Sequence, residues 1–235
     1  MVYNFSSFRI LPGVCVGCER LSQRDIDLCL SCEDKLSHNT RYCGHCALPL
    51  YTPAPTCGRC QNETTHFNQA LSRFVYEGDI STQIHAFKYH QKLAHGRVLS
   101  ELLVNSIQAR YKPSELPDVL VPVPLHWQKL IRRGYNQAHE ISRILSHRLN
   151  IPIQHNILQR VQRGLKQSEL SRKHRLSALK GVFAVSSKAQ ITGKHIALID
   201  DVMTTGATAS TLAALLKQAG CNTVDVWTLA RTPVT

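Results

Sequence analysis

Two groups of residues in this chain could do chemistry. The first is a run of cysteines. Eight of the nine lie within the first 60 residues, as the pairs Cys15/Cys18, Cys29/Cys32, Cys43/Cys46 and Cys57/Cys60. Ten residues separate each pair from the next, so the motif recurs every 14 residues. A C-x-x-C turn presents two sulfurs to one ion, and two such turns complete a thiolate tetrahedron around zinc. Eight ligands predict two sites, paired either in sequence order or interleaved; spacing alone leaves both open. Four protein ligands close each site, so the zinc is structural and supplies folding energy that so small a core cannot. His38, His45 and His66 lie nearby, but the cysteines already complete two sites. The ninth cysteine, Cys221, reads as a small buried apolar residue.

The second group is His195-Ile196-Ala197-Leu198-Ile199-Asp200-Asp201-Val202-Met203-Thr204-Thr205-Gly206-Ala207-Thr208. An apolar strand ends in two carboxylates, a hydroxyl-rich loop turns at Gly206, and a helix begins at once. Backbone N–H groups and the positive end of the helix dipole meet at such a joint. With hydroxyls from Thr204, Thr205 and Thr208 they suit a phosphate monoester, while Asp200 and Asp201 can accept from sugar hydroxyls. A receiver domain also carries paired aspartates after a strand, but needs roughly 100 residues downstream. Only 34 follow Asp201.

Charge adds a third feature. The chain carries +12, and two zinc sites at formally −2 each bring it to about +8. Between His126 and Lys180, 12 Lys and Arg face only Glu140 and Glu169. This belt, with Lys129, Arg132, Arg133, Arg163, Lys166, Arg172, Lys173 and Arg175 at its centre, suits a polyanion: a phosphorylated ligand, nucleic acid or an acidic lipid. Trp127, Tyr135 and Phe183 are its few aromatics, so base stacking would be minor and binding salt-sensitive.

The elements that must position these groups follow from periodicity. Residues 74–89 form a short apolar and aromatic segment, 93–111 a helix, and 112–118 a proline-marked linker. Residues 119–123 read as a buried parallel strand, 137–149 as a helix and 151–158 as a weaker strand. Residues 195–199 make another buried strand, 208–219 a helix with Gly220 at its end, and 223–230 a last strand. Strands alternating with helices predict an α/β domain with a mainly parallel sheet. The expected organisation is a small Cys-rich module at 1–66 and an α/β domain at 67–235. No run reaches the roughly 18 apolar residues of a membrane span, and the start is unlike a signal peptide. The expectation is a soluble, cytoplasmic protein with reduced thiols.

Residues 196–208, IALIDDVMTTGAT, resemble the signature of type I phosphoribosyltransferases, which bind 5-phosphoribosyl-1-pyrophosphate. With the cysteine repeat, the chain resembles the ComF/GntX family of competence proteins. The matching pieces are the double zinc ribbon, Tyr76-Glu77-Gly78, His85-Ala86-Phe87-Lys88-Tyr89, Val121-Pro122-Val123-Pro124-Leu125-His126, Arg132-Arg133-Gly134-Tyr135-Asn136-Gln137, residues 167–175, and the loop. The resemblance implies a type I phosphoribosyltransferase-like sheet with flanking helices. It implies a sugar-phosphate site of Asp200, Asp201, Thr204, Thr205, Gly206, Ala207 and Thr208, with Pro124 on the pyrophosphate loop and Arg132 and Arg133 meeting anionic oxygens. Mg²⁺ would accompany the pyrophosphate. Residues 160–175 match the loop that covers the active site in active enzymes. One departure is visible: the family's usual Asn three residues after Arg175 is Ala178 here.

No residue set identifies an accepting base, so no catalytic residue is assigned. The resemblance implies a competence protein that handles incoming single-stranded DNA in the cytoplasm, with other competence proteins as partners. A working phosphoribosyltransferase of nucleotide metabolism and a non-enzymatic sensor of 5-phosphoribosyl-1-pyrophosphate are the alternatives.

Overall fold

A computed structural model describes residues 13–160 and 182–234. Arg163, Lys166, Arg172, Lys173 and Arg175 of the basic belt lie outside the described residues, as does Ala178. The described residues form two compact units, one ending at Leu36 and the other beginning at Ser37.

In the first unit the chain folds back at Val14 and Leu21 in a single antiparallel bridge. One short helix, α1 (Leu30–Glu33), follows Cys29. Among the described residues of this unit the buried ones are few: Cys15, Ser22, Leu28 and Leu36. An Arg24–Glu33 ion pair at 2.5 Å ties its two halves.

The second unit is built on a parallel sheet. Strands β1 (Gln69–Val75), β2 (Val119–Pro122), β5 (His195–Met203) and β6 (Thr223–Arg231) stand in the order β1-β6-β5-β2. Every neighbouring pair is parallel. The central β5 and β6 are buried along most of their length, as strands covered on both faces are. Helices α3 (Gly78–Tyr89), α4 (Leu93–Arg110), α6 (Gln137–Leu149) and α7 (Ala207–Gln218) flank the sheet. Short α2 (Gly58–Asn62) and α5 (Trp127–Arg133) complete the helices needed here. The parallel sheet with flanking helices is as the sequence predicts.

Three details differ from the periodicity. Residues 74–89 divide into the end of β1 and α3, broken where Gly78 takes a φ of +49°. The strand expected over 151–158 touches the sheet at one bridge, Ile153 to Leu120. Its last residue instead opens β3 (Leu158–Arg160), which pairs antiparallel with β4 (Phe183–Val185) outside the main sheet. β5 runs on through Asp200 and Asp201 to Met203, because Val202 and Met203 still pair with Ala230 and Arg231 of β6.

The second cysteine group shares the core of this sheet. Cys43, Cys46, Ala47, Leu48 and Cys57 pack in one apolar cluster with Val119, Leu198, Met203, Ala207 and Leu212. Backbone bonds fasten the same region to β1, with Ala70 N–H donating to His45 and Asn39 N–H to Arg73. α4 presses so close to α3 that a side chain at Gly96 would strike the Phe87 ring at 2.4 Å. Glycine there fixes the helix that carries Lys88.

Candidate sugar-phosphate site and metal centres

The cysteines group in sequence order: Cys15, Cys18, Cys29 and Cys32 together, and Cys43, Cys46, Cys57 and Cys60 together. Within each group all four sulfurs lie within 4.8 Å of one another. Closest approaches are 3.8 Å for Cys18–Cys29 and 3.7 Å for Cys46–Cys57. A zinc–sulfur bond of about 2.3 Å puts tetrahedral sulfurs about 3.8 Å apart, so both groups fit zinc. The repeat extends to the outer contacts. Cys29 N–H donates to the Cys15 sulfur at 3.4 Å, and Cys57 N–H to the Cys43 sulfur at 3.1 Å. His45 is not drawn in; it bonds Thr65 at 2.5 Å and stacks on Phe67. Cys221 is buried, its thiol against the carbonyls of Lys194 and Thr223.

The other centre lies at the carboxyl end of β5. Asp200 and Asp201 stand on the strand, and residues 204–206 turn into α7. Gly206 holds a φ of +74°, where a side chain is strained, and no side chain caps the helix. Ala207 N–H is taken by the Thr205 hydroxyl at 3.3 Å. Among the described residues no acceptor takes the N–H of Thr204, Thr205 or Gly206. Their carbonyl sides are occupied. Arg231 donates to the Met203 carbonyl at 2.9 Å and to that of Thr204, and Arg59 donates to that of Thr205. No peptide here is cis, so each N–H runs opposite to the carbonyl of its own plane. Three successive amides are therefore aimed away from the two guanidinium groups. Thr204 itself is exposed, while Thr205, Gly206 and Thr208 are half-buried and Ala207 is buried.

The two carboxylates differ. Asp201 pairs with Lys88 of α3, Nζ to Oδ1 at 2.9 Å, with the side chains 15% and 11% exposed. Burial alone would lower the Lys88 pKa, but the Asp201 charge and hydrogen bond, helped by Asp200, hold it above the ordinary value. Asp200 accepts the Asp201 N–H at 2.9 Å. It keeps some open surface, yet the protein crowds it closely. Burial first, and the Asp201 charge second, push it up to about 7. One acid is thus tied to a lysine, and the other keeps its proton up to about neutral pH.

The predicted basic residues part company. Arg133 is buried, donating to Gln137 at 2.8 Å and to the Tyr89 hydroxyl at 3.0 Å, with its guanidinium 4.7 Å from the Tyr89 ring centre. Its charge reaches Asp200. Arg132 and Lys129 are exposed on α5. Burial and the charges of Arg133, Arg160 and Arg132 depress the Lys129 pKa. Pro124 is half-buried on the turn after β2, where Asn136 donates to the adjacent Val123 carbonyl at 3.0 Å.

The sequence gives no role to three residues that matter here. Lys88 lies four residues after buried Ile84, a lysine on the edge of an apolar helical stripe, which is a readable signal. Arg59 and Arg231 carry no such mark, because their partners are backbone carbonyls far away in the chain.

The chain thus combines two four-cysteine groups that fit zinc with a parallel α/β sheet and a strand–loop–helix joint. Residues 8–61 match the double zinc ribbon domain family. Competence protein F of Haemophilus influenzae is 34% identical over 97% of this chain and 99% of its own length. The chain belongs to the competence protein F family. The DNA utilization protein YhgH of Escherichia coli K12 is 30% identical, over 94% of this chain and 98% of its own. Competence protein ComFC of Bacillus subtilis is 28% identical, over 90% and 87%. Among solved structures, a glutamine phosphoribosylpyrophosphate amidotransferase from B. subtilis aligns with 57% of this chain at 16% identity and a TM-score of 0.38. This chain spans 25% of that protein. A purine phosphoribosyltransferase from Pyrococcus horikoshii aligns over 57% of this chain and 82% of its own, at 15% identity and a TM-score of 0.36. Among the described residues no helix is long and apolar enough to cross a membrane.

Proposed function

We propose that this protein serves natural transformation in the cytoplasm, handling incoming single-stranded DNA, and that it binds 5-phosphoribosyl-1-pyrophosphate at the β5–α7 joint. The observation that carries the ligand is the row of unpartnered amides at Thr204, Thr205 and Gly206, beside two carboxylates. Outward N–H groups at a helix start suit a phosphate, and the threonine hydroxyls add donors. The carboxylates would accept from the ribose hydroxyls. Mg²⁺, carried on the pyrophosphate, would find in Asp200 an acid whose ionisation a cation favours. Arg133 belongs to this pocket, since its charge reaches Asp200, and Pro124 to the pyrophosphate side.

The competence role rests on relatives named for competence and for DNA utilization along nearly their whole lengths. The DNA-facing surface would be the exposed part of the belt, Lys129 and Arg132, continued by Arg163, Lys166, Arg172, Lys173 and Arg175. Backbone phosphates would supply most of the affinity, with a steep salt dependence.

Thermal unfolding with 5-phosphoribosyl-1-pyrophosphate and Mg²⁺ tests the ligand. A hundredfold excess over Kd adds about 2.7 kcal/mol to a protein that binds only when folded. The wild type should gain a higher melting temperature, and the double variant Asp200→Ala, Asp201→Ala should not. Equal gains in both proteins would count against the assignment.

A further inference from the structure

The second cysteine group and the sugar-phosphate loop are bonded to each other by two arginines. Cys57 is the N-cap of α2 and Cys60 lies within it, so a metal held by these two ligands would pin both ends of the short segment that carries Arg59. Arg59 reaches the Thr205 carbonyl, and its Nε is steadied by Glu63 at 3.3 Å. Arg231 holds the two carbonyls that come just before Thr205 in the loop. It is 1% exposed, donates from Nε to the Cys46 carbonyl at 3.1 Å, and reaches the Met203, Thr204 and Thr232 carbonyls from Nη1. A third tie joins His66 N–H to the Ser210 hydroxyl on α7 at 3.1 Å.

We propose that Arg59 is a positioning residue for the sugar-phosphate loop, with Arg231 as its buried counterpart, so that the second cysteine group sets phosphate affinity. A peptide plane is rigid, so holding three carbonyls back turns three N–H groups forward. Without Arg59 the Thr205–Gly206 plane can rotate, and the Gly206 N–H leaves the row. Glycine at 206 makes that rotation cheap, since it tolerates many backbone angles. The guanidinium groups are in turn held by the cysteine region. A metal there would be felt as loop geometry rather than as chemistry.

This inference rests on the sugar-phosphate reading, and the test separates the two. Full-length, zinc-loaded wild type, Arg59→Ala and Arg59→Lys are titrated with 5-phosphoribosyl-1-pyrophosphate and Mg²⁺ by calorimetry. The Gly206 amide signal is recorded by NMR in the ligand-free proteins, and zinc content is measured in each. Arg59→Ala should bind about tenfold more weakly, as for one lost charge-assisted bond. Its Gly206 signal should shift while zinc stays at the wild-type value. Arg59→Lys, which keeps one donor, should restore most of the affinity. Unchanged affinity in Arg59→Ala, or weaker affinity with an unmoved Gly206 signal, overturns the inference. If wild type binds nothing, the sugar-phosphate reading falls and this inference falls with it.

Discussion

The two cysteine groups share a motif, a spacing and a sulfur geometry, yet they stand in different surroundings. Among the described residues the first group's unit buries four, and Cys18 is exposed. The second is set into the main core, where Cys43, Cys46 and Cys57 pack with the residues of β5 and α7. One group has little besides its metal to hold a fold together. The other is a wall of the sheet domain and reaches its ligand loop. An identical ligand pattern therefore fixes how the ion is held, but what the ion supports is decided by the residues between the cysteines.

The largest expected contrast is at the ligands themselves. Cys57→Ser should lower the stability of the sheet domain by about 4 kcal/mol or more, since losing a structural metal ranks among the most damaging changes. It should also abolish binding of 5-phosphoribosyl-1-pyrophosphate. Cys18→Ser should leave the melting of the sheet domain and ligand binding unchanged. Chemical denaturation followed through Trp227, buried on β6, reads the sheet domain directly. Equal damage from both variants would erase the contrast.

A smaller contrast concerns one ion pair from each unit. Lys88–Asp201 is shielded, while Arg24 of the Arg24–Glu33 pair is 29% exposed. Lys88→Met strands a buried carboxylate beside a second one and should cost about 2 to 3 kcal/mol in urea unfolding. Arg24→Ala should cost less than about 1 kcal/mol.

The smallest effect has the opposite sign. Asp200 holds its proton to about 7 in the fold, while an unfolded aspartate releases it near 4. Between these values the folded state binds the extra proton, so this group's contribution to stability falls as pH rises from about 4 to about 7. Asp200→Asn should therefore melt higher than wild type at pH 8, by about 2 to 4 °C for each kcal/mol regained. The advantage should fade below about pH 4. A pH-independent difference would mean that the carboxylate is not held protonated.

Much of this was legible in the sequence. β2 and the start of β5 announced themselves as short apolar runs while β1 went unread, and the 14-residue repeat gave both metal groups their members, leaving only the pairing open. Asp200 to Thr208 stood out because strand, acids, hydroxyls and glycine are contiguous. What stayed hidden depends on distance along the chain. Arg59 and Arg231 act on carbonyls of residues 203–205, and backbone partners leave no trace in residue type. Arg133 and Arg132 are neighbours of the same charge and both lie over the Tyr89 ring, yet the helix buries one, bonded to Gln137 and the Tyr89 hydroxyl, and leaves the other exposed. The place of residues 37–60 in the sheet's own core was also unreadable, because turn-rich cysteine segments look alike whether or not they are covered.

The account turns on the amide row at residues 204–206. A crystal structure of the zinc-loaded protein with 5-phosphoribosyl-1-pyrophosphate and Mg²⁺ tests it most directly. The prediction is phosphate oxygens within about 3 Å of the Thr205 and Gly206 nitrogens, with a ribose hydroxyl on Asp200 or Asp201. Ligand bound elsewhere, or a loop whose carbonyls face the phosphate, would contradict it.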